Sequence, residues 1–173
     1  MRVLVIDTAL GLCTAGVFEA DGDDVRALGV RSESMARGHS ERLAGMARDA
    51  VTEAGGGFQA LDRIGVTIGP GSFTGLRVGL AFAQGLGAAL AVPVVGVSSL
   101  DALKASAEQA QTVVALIDAR RGQVYGRAWR AGVAVGPAEA WAVDDARAFV
   151  AELETNAPLA ADNRVHLVGS GAT

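Results

Sequence analysis

The segment Ile64–Gln84, which reads IGVTIGPGSFTGLRVGLAFAQ, constrains the fold of this chain more than any other. Its β-branched start favours a strand, its glycines and proline favour a tight loop, and its apolar end favours a helix. The sequence therefore predicts a strand, a turn and a helix start. Five loop residues allow positive φ or offer hydroxyl groups that cap the helix: Gly69, Gly71, Gly75, Ser72 and Thr74.

The backbone N–H groups of such a loop face outward at a helix N-terminus, where they attract anions. These five residues therefore form a candidate anion-binding loop. The loop is not a Walker A motif, because Leu76 follows Gly75 where that motif has lysine. It also differs from the dinucleotide fingerprint, since its third glycine comes one residue late. A structural turn without a ligand is the alternative, because no lysine accompanies the loop.

The helix that follows, Leu76 to Ala91, is apolar on nearly every side. Its interior glycines lower helix propensity by about 1 kcal/mol each relative to alanine, so close packing must compensate for them. One side is predicted to cover the sheet of the same domain and the other to meet a partner chain, with complete burial in one domain as the alternative. The predicted interface combines this helix with the preceding one: Leu43, Met46, Ala50, Leu76, Gly79, Ala83 and Gly87.

Composition limits the classes of function. The net charge of −4 over 173 residues gives no general attraction to nucleic acid. Cys13 is the single cysteine, which excludes an intramolecular disulfide and disfavours a zinc site. No apolar run approaches about 18 residues without glycine or charge, so no membrane segment is predicted. We predict a cytoplasmic protein with no metal and no cofactor.

Hydrophobic patterning predicts three strands, then helices and strands in alternation, which fits a mixed sheet with helices packed on it. The beginning of the chain recurs further along, because Val3–Asp7 (VLVID) is echoed by Val114–Asp118 (VALID). We therefore predict an α/β fold with two related domains, residues 1–107 and 108–173. The second copy stops at Gly169–Thr173 without a covering helix, so we expect it to be truncated.

Two duplicated halves, each led by a strand that ends in Asp, resemble the actin and Hsp70 ATPase superfamily, whose fold is actin-like or RNase H-like. Four motifs resemble one family in it more closely, the bacterial TsaB family, also called YeaZ. They are Ile6–Thr8 (IDT), Gly38–Glu41 (GHSE), Gly69–Gly79 (GPGSFTGLRVG) and Gly96–Leu100 (GVSSL). The third motif is highly specific, and the resemblance covers about residues 1 to 130 well.

The resemblance implies a non-catalytic partner of TsaD, the transferase that forms N6-threonylcarbamoyladenosine at position 37 of ANN-decoding tRNAs. It also implies a homodimer when the protein is alone, TsaE in a larger complex, and tRNA contact only through the complex. Family members pair through two helices of the first domain. Asp7 and Asp118 would be vestigial phosphate-site acids, with closure of a strand end as the alternative reading of each.

The residues themselves agree with a non-catalytic role. His39 and His166 lie far apart, so they do not form the pair of helical metal ligands that TsaD-like enzymes carry. His39 is predicted at a helix start or an interface. Two rival hypotheses stay open: a small-molecule kinase or ATPase that uses the loop Gly69–Gly75, and a plain homodimeric interaction protein.

Overall fold

The computed structural model describes residues 1–35, 37–107, 109–155 and 164–172. The chain divides into two units, Met1–Ser98 and Ser99–Thr173. The predicted boundary at residues 107 and 108 differs from this division by one short helix, Ser99–Ala105.

The first unit is built on a five-stranded mixed sheet. Its strands are β1 (Arg2–Asp7), β2 (Leu12–Asp21), β3 (Asp24–Ser34), β4 (Arg63–Gly69) and β5 (Val94–Ser98). Their order across the sheet is β3-β2-β1-β4-β5, with β1 antiparallel to β2 and parallel to β4. This arrangement places the ends of β1 and β4 side by side.

Two helices cover one face of this sheet. Helix α1 (His39–Ala54) packs on β2 and β3, and α2 (Phe73–Leu90) packs on β4, β1 and β5. A short 3-10 turn, Phe58–Ala60, leads into β4. The core between sheet and helices includes Leu4, Ile6, Leu43, Ile64 and Ala83, each at most 1% exposed.

The second unit contains a second mixed sheet. Helix α3 (Ser99–Ala105) precedes β6 (Thr112–Arg120), β7 (Gln123–Arg130), β8 (Val133–Ala134), β9 (Glu139–Ala142), helix α4 (Val143–Thr155) and β10 (Val165–Val168). The order is β10-β6-β7-β8, and β9 pairs with β7. Strand β6 is antiparallel to β7 and parallel to β10, as β1 is to β2 and β4. The predicted duplicated α/β fold with packed helices is confirmed.

Helix α2 is long and apolar enough to cross a membrane when length and composition alone are considered. This test is weak evidence, because the core helix of a globular protein passes it too. Here four small residues of α2 lie buried: Gly75, Gly79, Ala83 and Gly87.

Candidate functional site

Asp7 ends β1 beside the loop that leads into α2. Its Oδ1 accepts a hydrogen bond from the Ala9 N–H at 2.9 Å and another from the Thr67 hydroxyl at 2.8 Å. The next residue, Thr8, is fully buried, and its hydroxyl donates to the Gly75 carbonyl at 2.7 Å. The end of β1 is therefore tied to β4 and to the first turn of α2. This geometry is that of an acid that closes a strand end, the alternative given above for Asp7.

Glycines let α2 begin directly against β1. A Cβ on Gly71 would lie 2.3 Å from the Ala9 carbonyl oxygen, and a Cβ on Gly75 would lie 2.0 Å from the Thr8 carbonyl oxygen. Gly69 has the expected positive φ, at +102°. Gly71 and Gly75 do not use the positive φ that glycine allows, and instead they let two backbone segments approach closely.

The loop uses several of its polar groups within the chain. The Ser72 N–H donates to the Ala9 carbonyl at 2.7 Å, and the Ser72 side chain caps α2 by accepting from the Gly75 N–H at 3.3 Å. Ser72 is thus the helix cap, and Thr74 is exposed in the first turn. The N–H groups of Ser72 and Gly75 donate to acceptors within the chain. The predicted anion-binding loop therefore does not have all its N–H groups available for an anion.

Asp118 lies two residues before the end of β6, whereas Asp7 is the last residue of β1. The Asp118 Oδ1 accepts from the N–H of Arg120, two residues on, at 2.7 Å, which repeats the bond from Asp7 to Ala9. The Asp118 N–H donates to the Ser170 hydroxyl at 3.2 Å. Asp118 is exposed, whereas Asp7 is half-buried. Both acids therefore accept from the N–H two residues on, and Asp7 also accepts from the Thr67 hydroxyl on β4.

The structure corrects the predicted interface stripe. Leu43, Met46, Ala50 and Ala83 are at most 3% exposed, and Gly79 and Gly87 are buried against the sheet. A Cβ on Gly79 would lie 2.4 Å from the Thr8 hydroxyl oxygen. Leu76 is half-buried. The small residues Gly79, Ala83 and Gly87 therefore serve helix-to-sheet packing, and complete burial applies to this side of α2.

The outward sides of the same helices form a groove of about 510 Å³, which we call the α1–α2 groove. Phe73 is 73% exposed at its edge, and the Arg77 guanidinium lies 5.4 Å from the centre of that ring. Its lining also includes Ser40, Leu43, Thr74, Val78, Ala81 and Phe82. The sequence analysis assigned the interface to the small-residue stripe and did not include Phe73. The available signal was a phenylalanine directly after the helix cap.

Among the residues that the structure describes, the remaining reactive side chains do not assemble into a metal-binding cluster. Burial, together with nearby Glu33 and Asp7, raises the pKa of the Cys13 thiol, which favours its neutral form. Within residues 1–35, 37–107, 109–155 and 164–172, no three His, Cys, Asp or Glu side chains converge on a metal position. His39 begins α1, as predicted, and His166 lies on β10 in the other unit.

Known proteins match this chain over most of its length. The family model described as TsaD, tRNA N6-adenosine threonylcarbamoyltransferase, matches residues 23–158. The tRNA threonylcarbamoyladenosine biosynthesis protein TsaB of Escherichia coli (strain K12) is 37% identical over 128 residues, which are 72% of this chain and 53% of that protein. An uncharacterized protein of Mycobacterium leprae is 44% identical over 137 residues, covering 79% of this chain and 38% of that one.

The solved structure of YeaZ from Pseudomonas aeruginosa superposes with a TM-score of 0.72 at 31% identity. The superposition covers 83% of this chain and 68% of that chain. The chain thus spans about half the length of the Escherichia coli relative and about two thirds of the Pseudomonas structure.

Proposed function

This chain belongs to the TsaB (YeaZ) family, and from that membership we propose that it is a non-catalytic partner of the TsaD transferase in forming N6-threonylcarbamoyladenosine in tRNA. Its relatives named TsaB are proteins of the biosynthesis of this modified nucleoside. The partner role is supported by one observation, which is that this chain exposes the largely apolar α1–α2 groove. A tRNA-modifying role also favours the cytoplasm as its compartment.

The non-catalytic part of the proposal is supported by the contacts of the residues in the first unit that an actin-like ATPase would use to bind phosphate. The Asp7 carboxylate already accepts two hydrogen bonds from the fold. The space beside Gly71 and Gly75 is filled by the carbonyls of Ala9 and Thr8. We expect the isolated chain to show no sustained ATP turnover and no tRNA modification. ATP hydrolysis that disappears in Asp7→Ala would contradict this and favour the kinase or ATPase hypothesis.

The α1–α2 groove is the proposed partner surface. Phe73, Ala81 and Phe82 present apolar area beside the charged Arg77, a composition common in interface cores and rims. A stable interface of ordinary size needs about 800 Å² from each partner, which two adjacent helix faces can supply. We propose that TsaD covers this surface in the complex and that a second copy covers it when the chain is alone.

A charge placed in the groove tests this surface directly. Ala81 is exposed on α2 and lines the groove, so Ala81→Glu should leave the monomer folded. We expect it to abolish dimer formation in light scattering and to abolish capture of TsaD in a pull-down. Ala148→Glu is the matched control, because Ala148 is exposed on helix α4 of the other unit.

The control should remain dimeric and should capture TsaD as the unmodified chain does. If Ala81→Glu also stays dimeric and still captures TsaD, the groove is not the partner surface. If it loses only the dimer, the homodimer uses the groove and TsaD does not.

The roles of TsaE and tRNA follow from the same proposal. We expect TsaE to join only the assembled complex. With a net charge of −4, the chain alone should bind tRNA weakly, and that binding should fall steeply with salt. Tight tRNA binding by the isolated chain at physiological salt, measured by fluorescence anisotropy, would contradict contact through the complex.

A further inference from the structure

A second groove lies where the N-termini of α1 and α2 come together in the first unit. We call it the N-terminal groove. Its volume is about 380 Å³, and its lining includes Arg37, Gly38, His39, Ser40, Ser72 and Thr74. Both helices are long, 16 residues for α1 and 18 for α2, and each presents the positive end of its dipole at its first turn. Both helix starts favour an anion in the groove, and the Glu41 carboxylate in the first turn of α1 reduces this attraction.

Helix α1 begins without a side-chain cap. Its N-cap residue is Gly38, with φ of +89°, and glycine offers no oxygen to the first turn. The Glu41 and Arg42 N–H groups donate to the Gly38 carbonyl at 3.1 and 3.2 Å. The first N–H groups of the helix, those of His39 and Ser40, have no intrahelical acceptor. These N–H groups are the kind of donor that holds an anion at a helix start.

His39 supplies an observation that is independent of the helix starts. Its residue is 9% exposed, it lines the N-terminal groove, and its Nε2 has no hydrogen-bond partner among the described residues. A buried polar nitrogen without a partner destabilises the fold by about 1 to 3 kcal/mol. A hydrogen bond to a bound group would remove this cost. Exposed Arg37, in the same lining, adds a full positive charge.

We propose that the N-terminal groove binds a phosphate group, either free or at the end of a larger molecule. The phosphate oxygens accept from the first-turn N–H groups of α1, from His39 Nε2–H and from Arg37, and the Ser40 and Thr74 hydroxyls complete the shell. This site shares Ser72 and Thr74 with the loop Gly69–Gly75, but it also needs the first turn of α1. It does not rest on the proposed partnership with TsaD.

Histidine ring nitrogens offer a selective probe, because the chain has two histidines, His39 and His166. Inorganic phosphate is titrated at constant ionic strength while the ¹⁵N signals of both rings are recorded by NMR. We expect the His39 Nε2 signal to shift in a saturable way and the exposed His166 signals to stay in place. Adenosine monophosphate, titrated in parallel, shows whether a phosphate carried on a larger molecule binds more tightly than the free ion.

Two substitutions are expected to change the affinity for phosphate in opposite directions. Arg37→Ala should weaken phosphate binding about fivefold or more, as expected for loss of a charged hydrogen-bond donor. Glu41→Gln removes a carboxylate whose Oε2 lies near Gly38 and should tighten binding about twofold. Arg63→Ala is the matched control, because Arg63 is exposed at the start of β4, away from the groove. Its affinity for phosphate should equal that of the unmodified chain.

A His39 signal that does not move up to tens of millimolar phosphate or adenosine monophosphate overturns the proposal. Equal weakening by Arg37→Ala and Arg63→Ala also overturns it, because that result indicates general attraction of anions. The NMR titration needs no substitution, so the outcome does not depend on whether a variant folds.

Discussion

The two sides of helix α2 carry the same residue types in opposite roles. On the inner side, a Cβ on Gly79 would lie 2.4 Å from the Thr8 hydroxyl oxygen, and a Cβ on Gly87 would lie 2.4 Å from Val94 Cγ2. On the outer side, a Cβ on Gly85 would have no neighbouring atom within 4 Å. Ala83 is fully buried, whereas Ala81, two residues earlier, is exposed.

This difference shows what small residues do in the helix. Inner glycines let the helix backbone approach β1, and the approach brings the Thr8 hydroxyl within bonding distance of the Gly75 carbonyl. Packing of this kind offsets the lower helix propensity of glycine at those positions. The outer side gains no packing in the isolated chain, so it is the side that a partner can cover.

A charge on each side gives the largest contrast. We expect Ala83→Glu to unfold the first unit, because burying a carboxylate without a partner destabilises a fold by several kcal/mol. Circular dichroism should show lost helix content, and urea unfolding should lose its cooperative transition. Ala81→Glu, the same change on the exposed side, should keep both. If the two variants have the same free energy of unfolding, the assignment of inner and outer sides is wrong.

A single methyl group on the inner side should have the next largest effect. Gly79→Ala places its Cβ against the Thr8 hydroxyl, and overpacking of this kind destabilises by about 1 to 3 kcal/mol. Urea unfolding measures the change. In a Thr8→Ala background the clash is absent, so the loss caused by Gly79→Ala should shrink. Losses that simply add would show that the strain lies elsewhere.

The hydrogen bond between β1 and α2 should contribute less. Thr8→Ala leaves the buried Gly75 carbonyl without the hydroxyl donor, and the free energy of unfolding should fall by about 1 to 2 kcal/mol. Thr8→Ser keeps the hydroxyl and is the control. A Thr8→Ser variant as unstable as Thr8→Ala would indicate that packing of the Thr8 methyl group, and not the hydrogen bond, holds the two elements together.

Much of the fold could be predicted because it depends on local patterns. The apolar run before Asp7, the three-and-four spacing in α1, and the glycine-rich turn before α2 each specify an element. The echo of Val3–Asp7 in Val114–Asp118 predicted the second sheet. Strands β8 and β9 were not predicted, because two to four residues give too short a pattern.

The candidate site was harder to predict because it depends on which way α2 is rotated. A stripe at Gly79, Ala83 and Gly87 fits a sheet and a partner helix equally well when only spacing is known. The contact of Gly79 with Thr8, 71 positions earlier in the sequence, decides between them. The unpartnered Nε2 of His39 likewise emerges only when α1 and α2 are placed together.

The smallest expected effect has the opposite sign. Gly85→Ala adds a Cβ where no atom lies within 4 Å, so the substitution should gain helix propensity without a clash. We expect the free energy of unfolding to rise by about 0.5 to 1 kcal/mol in urea denaturation. Gly45→Ala on α1, where a Cβ also meets no neighbour within 4 Å, should give a similar gain and serves as the reference for an unobstructed helical glycine. If Gly85→Ala destabilises the chain while Gly45→Ala stabilises it, the outer side of α2 is already packed in solution, and measurement at several protein concentrations identifies a second copy as the covering surface.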